Sequence, residues 1–148
     1  MQSKAPKTIK APWYQYLIAL FGLVWNGTGA YDFYLIQSND GQHLQHFTPA
    51  QLEFLFGLPA WVVACWGLSV FGGSLGCILL LLRRIQAVPL LALSWLTMVA
   101  TIIYNYGISD GMALMGDDLQ LGATLVILLA SLLLLLYARN LGQQGQLR

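Results

Sequence analysis

Three stretches of this chain, Ala60 to Leu82, Ala87 to Tyr106 and Leu119 to Tyr137, carry no charged residue at all. Each is about 20 residues long, the length a helix needs to cross the ~30 Å hydrocarbon core of a bilayer. Inside lipid every backbone polar group must be satisfied within the segment or its neighbours, so such runs are expected as helices. A fourth stretch, Tyr14 to Ile36, is long enough to span but holds Asn26 near its middle and Asp32 about a turn from its far end. Only 9% of residues are charged and 57% are hydrophobic, far from the charge content of a soluble domain. The expected fold is all-α, an integral membrane four-helix bundle over residues 13–137, with spans at about 14–36, 60–82, 87–106 and 119–137.

Charge sorts along the chain although the net value is only +1. Lys4, Lys7 and Lys10 precede the first span, Arg83 and Arg84 separate the second from the third, and Arg139 and Arg148 follow the fourth. The acidic residues Asp40, Glu53, Asp110, Asp117 and Asp118 occupy the other connections, with Asp32 at the same end of its span. Basic loops stay cytoplasmic, so residues 1–12 and 138–148 are expected as cytoplasmic tails of a multi-pass protein. With one fixed orientation, any homo-oligomer is expected to be parallel. Seven basic residues spread over three segments make no nucleic-acid footprint.

At 100° per residue, Gly22, Trp25, Asn26, Gly29, Asp32 and Phe33 share one face of the first span. One reading is packing, with glycines admitting a neighbouring helix and Asn26 bonding across the interface. The other is a cavity in which Asn26 and Asp32 meet a solute, because ionisable groups within a membrane are functional candidates by default. Leu17 to Val24 followed by Thr28-Gly29-Ala30 loosely resembles a secretory signal, but the apolar run through Ile36 fits an uncut span better.

The connection 37–59 is expected outside the cytoplasm. Within it Thr48-Pro49-Ala50-Gln51 reads as a capping box with proline at the first helical position. The apolar residues that follow are too few to span and predict a short interfacial helix. His43 and His46 have no metal-ligand spacing and are expected as solvated loop residues, so no metal or other cofactor is expected.

The second span places Cys65, Ser69, Gly73 and Cys77 at intervals of four, beside Gly72-x-x-x-Gly76. This small-residue face predicts tight packing in the bundle, with a dimer interface as the alternative. The two cysteines are ~18 Å apart along a helix and cannot pair with each other. In the third span Ser94, Thr97, Thr101, Tyr104 and Asn105 form a polar stripe. It either bonds its own backbone or faces Asn26 and Asp32 across a polar cavity.

Trp25-Asn26 with Gly29-Ala30 and Asp32, then Phe47-Thr48-Pro49, Gln51-Leu52, Pro59-Ala60-Trp61 and Phe71-Gly72-Gly73-x-Leu75-Gly76-Cys77, form an ordered motif set over roughly residues 20–106. The set resembles short four-span inner-membrane proteins of Gram-negative bacteria, a group of uncharacterised proteins loosely labelled sugar transporters. The resemblance implies an inner-membrane location and a four-span architecture.

Transport of a small polar solute such as a sugar requires a site near the midplane, for which the candidate binding residues are Asp32, Asn26, Trp25, Tyr104 and Asn105. Four helices enclose little by themselves, so this reading asks for a homo-oligomer. A non-transporting assembly, regulatory or envelope-stress component with a dry core is the alternative. No nucleophile, ligand set or phosphate-cradling loop accompanies the carboxylates, and catalysis is not expected.

Overall fold

The computed structural model describes Lys10 and residues 12–148, so the amino-terminal segment with Lys4 and Lys7 lies outside the described residues. The helices are α1 (Trp13–Gln37), α2 (Gly41–Leu44), α3 (Pro49–Phe56), α4 (Ala60–Leu81), α5 (Ala87–Ile103), α6 (Gly111–Met115) and α7 (Asp118–Gln143). A π turn, Tyr104–Ile108, prolongs α5. No strand occurs among the described residues.

Three segments, Ala60–Leu81, Ala87–Ile108 and Asp118–Gln143, are long and apolar enough to cross a membrane. Large apolar side chains point outward from them, among them Leu68, Phe71 and Leu75 on α4, Leu96 on α5, and Leu125, Leu129 and Leu133 on α7. An exterior of this kind is stable in lipid rather than water, and it marks a membrane protein. The 25-residue α1 is long enough but is not one of these three, for it carries Gln15, Asn26, Asp32 and Gln37.

The long helices pack in chain order, α1 on α4, α4 on α5 and α5 on α7, while α1 and α7 touch only slightly. Small residues on α4 make the first two contacts close. A Cβ at Gly76 would lie 2.7 Å from Leu91 of α5, and one at Gly73 would land on the Asn26 amide of α1. Gly67 receives the Phe33 ring, which also meets Trp66 edge-to-face at 4.9 Å. The small-residue face is thus spent inside the bundle.

Cations and anions collect at opposite ends of the bundle. Gln15 is fully buried and donates from Nε2 to the Leu80 carbonyl at 3.2 Å, which puts the start of α1 beside the end of α4 and Arg83. There Arg83, in the left-handed region at φ 57°, turns the chain sharply into α5.

Residues 138–148, expected as a polar tail, are structured. α7 continues to Gln143 with Ala138 and Leu141 buried, and the segment beyond docks on the turn. The Arg148 amide donates to the Arg83 carbonyl at 2.7 Å and the Ile85 amide to that of Arg148 at 2.7 Å. The Arg83 guanidinium donates to the Gln146 carbonyl at 2.8 Å. Leu147, within this strap, is buried in the same core as Leu80 and Ala87.

The opposite, acidic end is roofed by α2, α3 and α6. Thr48 and Gln51 form the reciprocal capping box that their spacing predicts. α3 leans on α6, with Gln51 Nε2 donating to the Leu114 carbonyl at 3.2 Å and Gly111 against the Phe54 ring. The acidic connection 107–118, with Asp110, Asp117 and Asp118, contains the end of the π turn and α6.

Candidate functional site: a polar cavity among the four long helices

Because α1 and α7 barely meet, the half of the bundle toward the acidic end encloses a half-open cavity of about 360 Å³. That lies at the lower end of the range typical of small-molecule sites. α1 contributes Trp25, Asn26, Gly29 and Asp32, which recur at helical spacing on one face. α4 adds Trp66, Ser69 and Val70, and α5 adds Ser94, Met98, Thr101, Ile102 and Asn105. Tyr106 and the α7 row Gln120, Thr124, Ile127 and Ser131 close the far wall.

Four of the five residues singled out in the sequence, Trp25, Asn26, Asp32 and Asn105, therefore line one space. Tyr104 does not. The α5 residues that face the cavity centre between Met98 and Asn105, and at 100° per residue Tyr104 falls about a third of a turn away. It packs instead edge-to-face on Trp61 of α4, with ring centres 5.3 Å apart. Tyr106 takes the place expected for it, and its hydroxyl lies 3.3 Å from Thr124 Oγ1. The π turn, closed by the Ser109 amide on the Tyr104 carbonyl at 2.9 Å, carries Asn105 and Tyr106 onto the cavity wall one after the other.

Most hydroxyls on the wall spend their protons on main-chain carbonyls. Ser94 donates to the Ser69 carbonyl across the α4–α5 interface at 2.6 Å, Thr101 to that of Thr97 at 2.9 Å and Thr124 to that of Gln120 at 2.9 Å. Ser131 donates to the carbonyls of Ile127 and Leu128. Asn26 is held by Nδ2 on the Gly22 carbonyl at 2.8 Å and rests over Gly73. What these groups offer to an occupant is oxygen lone pairs. Asn105 also lines the space, though its Oδ1 is shielded from solvent and has no hydrogen-bond partner among the described residues. With their protons committed to the main chain, the wall hydroxyls are complementary to a guest that brings donors of its own.

Asp32 stands at the outer rim, with Oδ1 2.7 Å from His43 Nε2. His43, expected as a solvated loop residue, is folded back by the turn after α1, where Asn39 adopts φ 57°. The Asp40 carboxylate caps α2 by accepting from the His43 amide at 2.9 Å, which fixes the imidazole over Asp32. Asp32 and His43 also share a shallow outer hollow with Thr28 and Tyr31. The sequence signals were the helix-reversing Ser38-Asn39-Asp40-Gly41 and the Asx cap, and neither names a partner for the histidine. No third metal-type ligand joins this pair among the described residues. Asp110 stays outside the cavity at the start of α6.

Fold and site together define a helical membrane protein with an acceptor-rich cavity between its long helices. No protein-family model, curated protein or solved structure matches the chain.

Proposed function

We propose that this chain is a four-span protein of the bacterial inner membrane that binds a small, uncharged, hydroxyl-rich solute and moves it across the bilayer as a parallel homo-oligomer. In this reading α1 is the fourth span. Its polar groups are compatible with lipid because Asn26 and Asp32 turn toward the cavity and Gln15 is buried against α4. Both termini lie in the cytoplasm, since the end bearing Arg83, Arg84, Arg139 and Arg148 is the one the positive-inside rule retains there.

The observation that carries the proposal is the convergence of Asn26, Asp32 and Asn105 on one space whose hydroxyls have already committed their protons. No lysine or arginine lines it, so an anionic solute finds no counter-charge, whereas a polyol supplies the missing donors. The test is uptake by reconstituted vesicles across a panel of neutral sugars, sugar phosphates and small ions. Neutral sugars should accumulate, and Asp32→Asn should reduce uptake at unchanged membrane abundance. Absence of uptake for every solute sinks transport, and a parallel fall in abundance assigns Asp32 to folding.

The Asp32–His43 pair favours a second reading. It ties α1 to the outer roof, as a non-transporting assembly or regulatory component would need. Under it, Asp32→Asn alters the stability of the outer roof and no solute binds.

A further inference from the structure

The polar cavity does not end at Asn26. A second hollow of about 320 Å³ continues it toward the basic end, walled by Ile18, Phe21 and Gly22 of α1 and by Ala130, Leu134 and Tyr137 of α7. The two hollows share Trp25, Asn26 and Ser131, and both lie in the seam where α1 and α7 hardly touch. From Ile18 to Asp32 the seam runs ~21 Å along the helix axis, most of the way through a bilayer core. Toward the acidic end its wall mixes polar side chains with apolar ones, and toward the basic end it is a slot almost wholly of hydrocarbon and aromatic side chains.

Resting on the solute-binding reading above, we propose that the natural occupant is an amphiphile, with an uncharged hydroxylated head in the outer cavity and one hydrocarbon chain in the inner slot. A free sugar leaves the inner slot empty. A bare alkyl chain brings no donor to the Thr101 and Ser131 hydroxyls, whose own protons go to main-chain carbonyls. An anionic headgroup meets only the Asp32 carboxylate, already engaged by His43, with no lysine or arginine on the wall. The open seam lets a chain slide in sideways from the surrounding lipid, a route closed to a wholly polar solute by the desolvation it would suffer.

The experiment uses the full chain in phosphatidylcholine nanodiscs with dodecyl glucoside bearing a photoreactive diazirine near the chain end. Adducts should concentrate on residues 18–25 and 130–137. Unlabelled dodecyl glucoside should displace the probe at a concentration at least tenfold below that of free glucose, while dodecyl phosphate should not displace it. Ala130→Phe, which fills the inner slot, and Asn105→Leu, in the outer cavity, should each lower labelling at least fivefold. Phe21→Ala, at a side chain that is 66% exposed, opens the slot to lipid and should lower it as well if Ala130→Phe fails to fold.

Adducts scattered over the outward faces of all the long helices would mean bulk lipid and overturn the proposal. If free glucose competes as well as the alkyl form and the slot variants change nothing, the amphiphile is wrong while the polar-solute reading stands. Indifference to Asn105→Leu and Asp32→Asn as well removes both.

Discussion

Gly73 is where α1, α4 and α5 come closest. A Cβ there would collide with the Asn26 amide and lie 3.1 Å from Ser94 Oγ. The amide cannot simply swing aside, because its Nδ2 is bonded to the Gly22 carbonyl at 2.8 Å. Gly73→Ala should therefore destabilise the bundle by about 1–3 kcal/mol, the usual cost of overpacking. Asn26→Ala makes room for the new methyl, so the double variant should lose less than the sum of the two single ones. Gly27 is one residue from Asn26 but has open space around its Cα. Gly27→Ala should leave stability unchanged or raise it by up to about 1 kcal/mol through helix propensity. Unfolding in mixed micelles followed by circular dichroism measures all four variants, and equal losses at Gly73 and Gly27 would refute the contact.

At the level of elements, α3 forms where its capping box and Pro49 predict it, because those signals are local and need no partner. Thr48→Ala removes the bond from the Gln51 amide to the threonine hydroxyl and should weaken α3 by about 1 kcal/mol. Hydrogen exchange should quicken over residues 49–56 and stay unchanged in α4; protection lost throughout would mean that α3 clamps the whole bundle. The three long apolar helices were equally legible, being set by length and hydropathy, and so was the polar face of α1. Other features depend on contacts distant in sequence. Nothing local says that Tyr104 turns to Trp61, that His43 returns to Asp32, or that Leu147 seats in the core beside Leu80. The stripe on α5 was visible as a stripe, but which edge of it faced the cavity was decided by where α4 and α7 pack.

On the scale of the molecule, each connection between long helices is closed by a different device, and the devices sort by charge. At the basic end a left-handed Arg83 makes a minimal turn, and the strap from Gln144 to Arg148 is laid across it by main-chain bonds. At the acidic end, Asp40 and Asp117 serve as N-caps, where negative charge is favoured beside helix N-termini. The segregation thus serves local structure and, in the proposed orientation, topology as well: the positive-inside rule would keep the arginine end in the cytoplasm, while Asp40 and Asp117 start helices at the other. Single cysteines introduced at Arg84 and Gln45 of intact cells separate the two ends. A membrane-impermeant maleimide should label position 45, on the exposed outer side of α2, and should reach position 84 only after the membrane is opened. Native Cys77 is wholly buried and Cys65 partly so, which keeps the background low without removing either. Labelling of position 84 from outside would invert the protein. It would place the mouth of the cavity on the cytoplasmic side, so a solute would first meet Asp32 and His43 from within the cell.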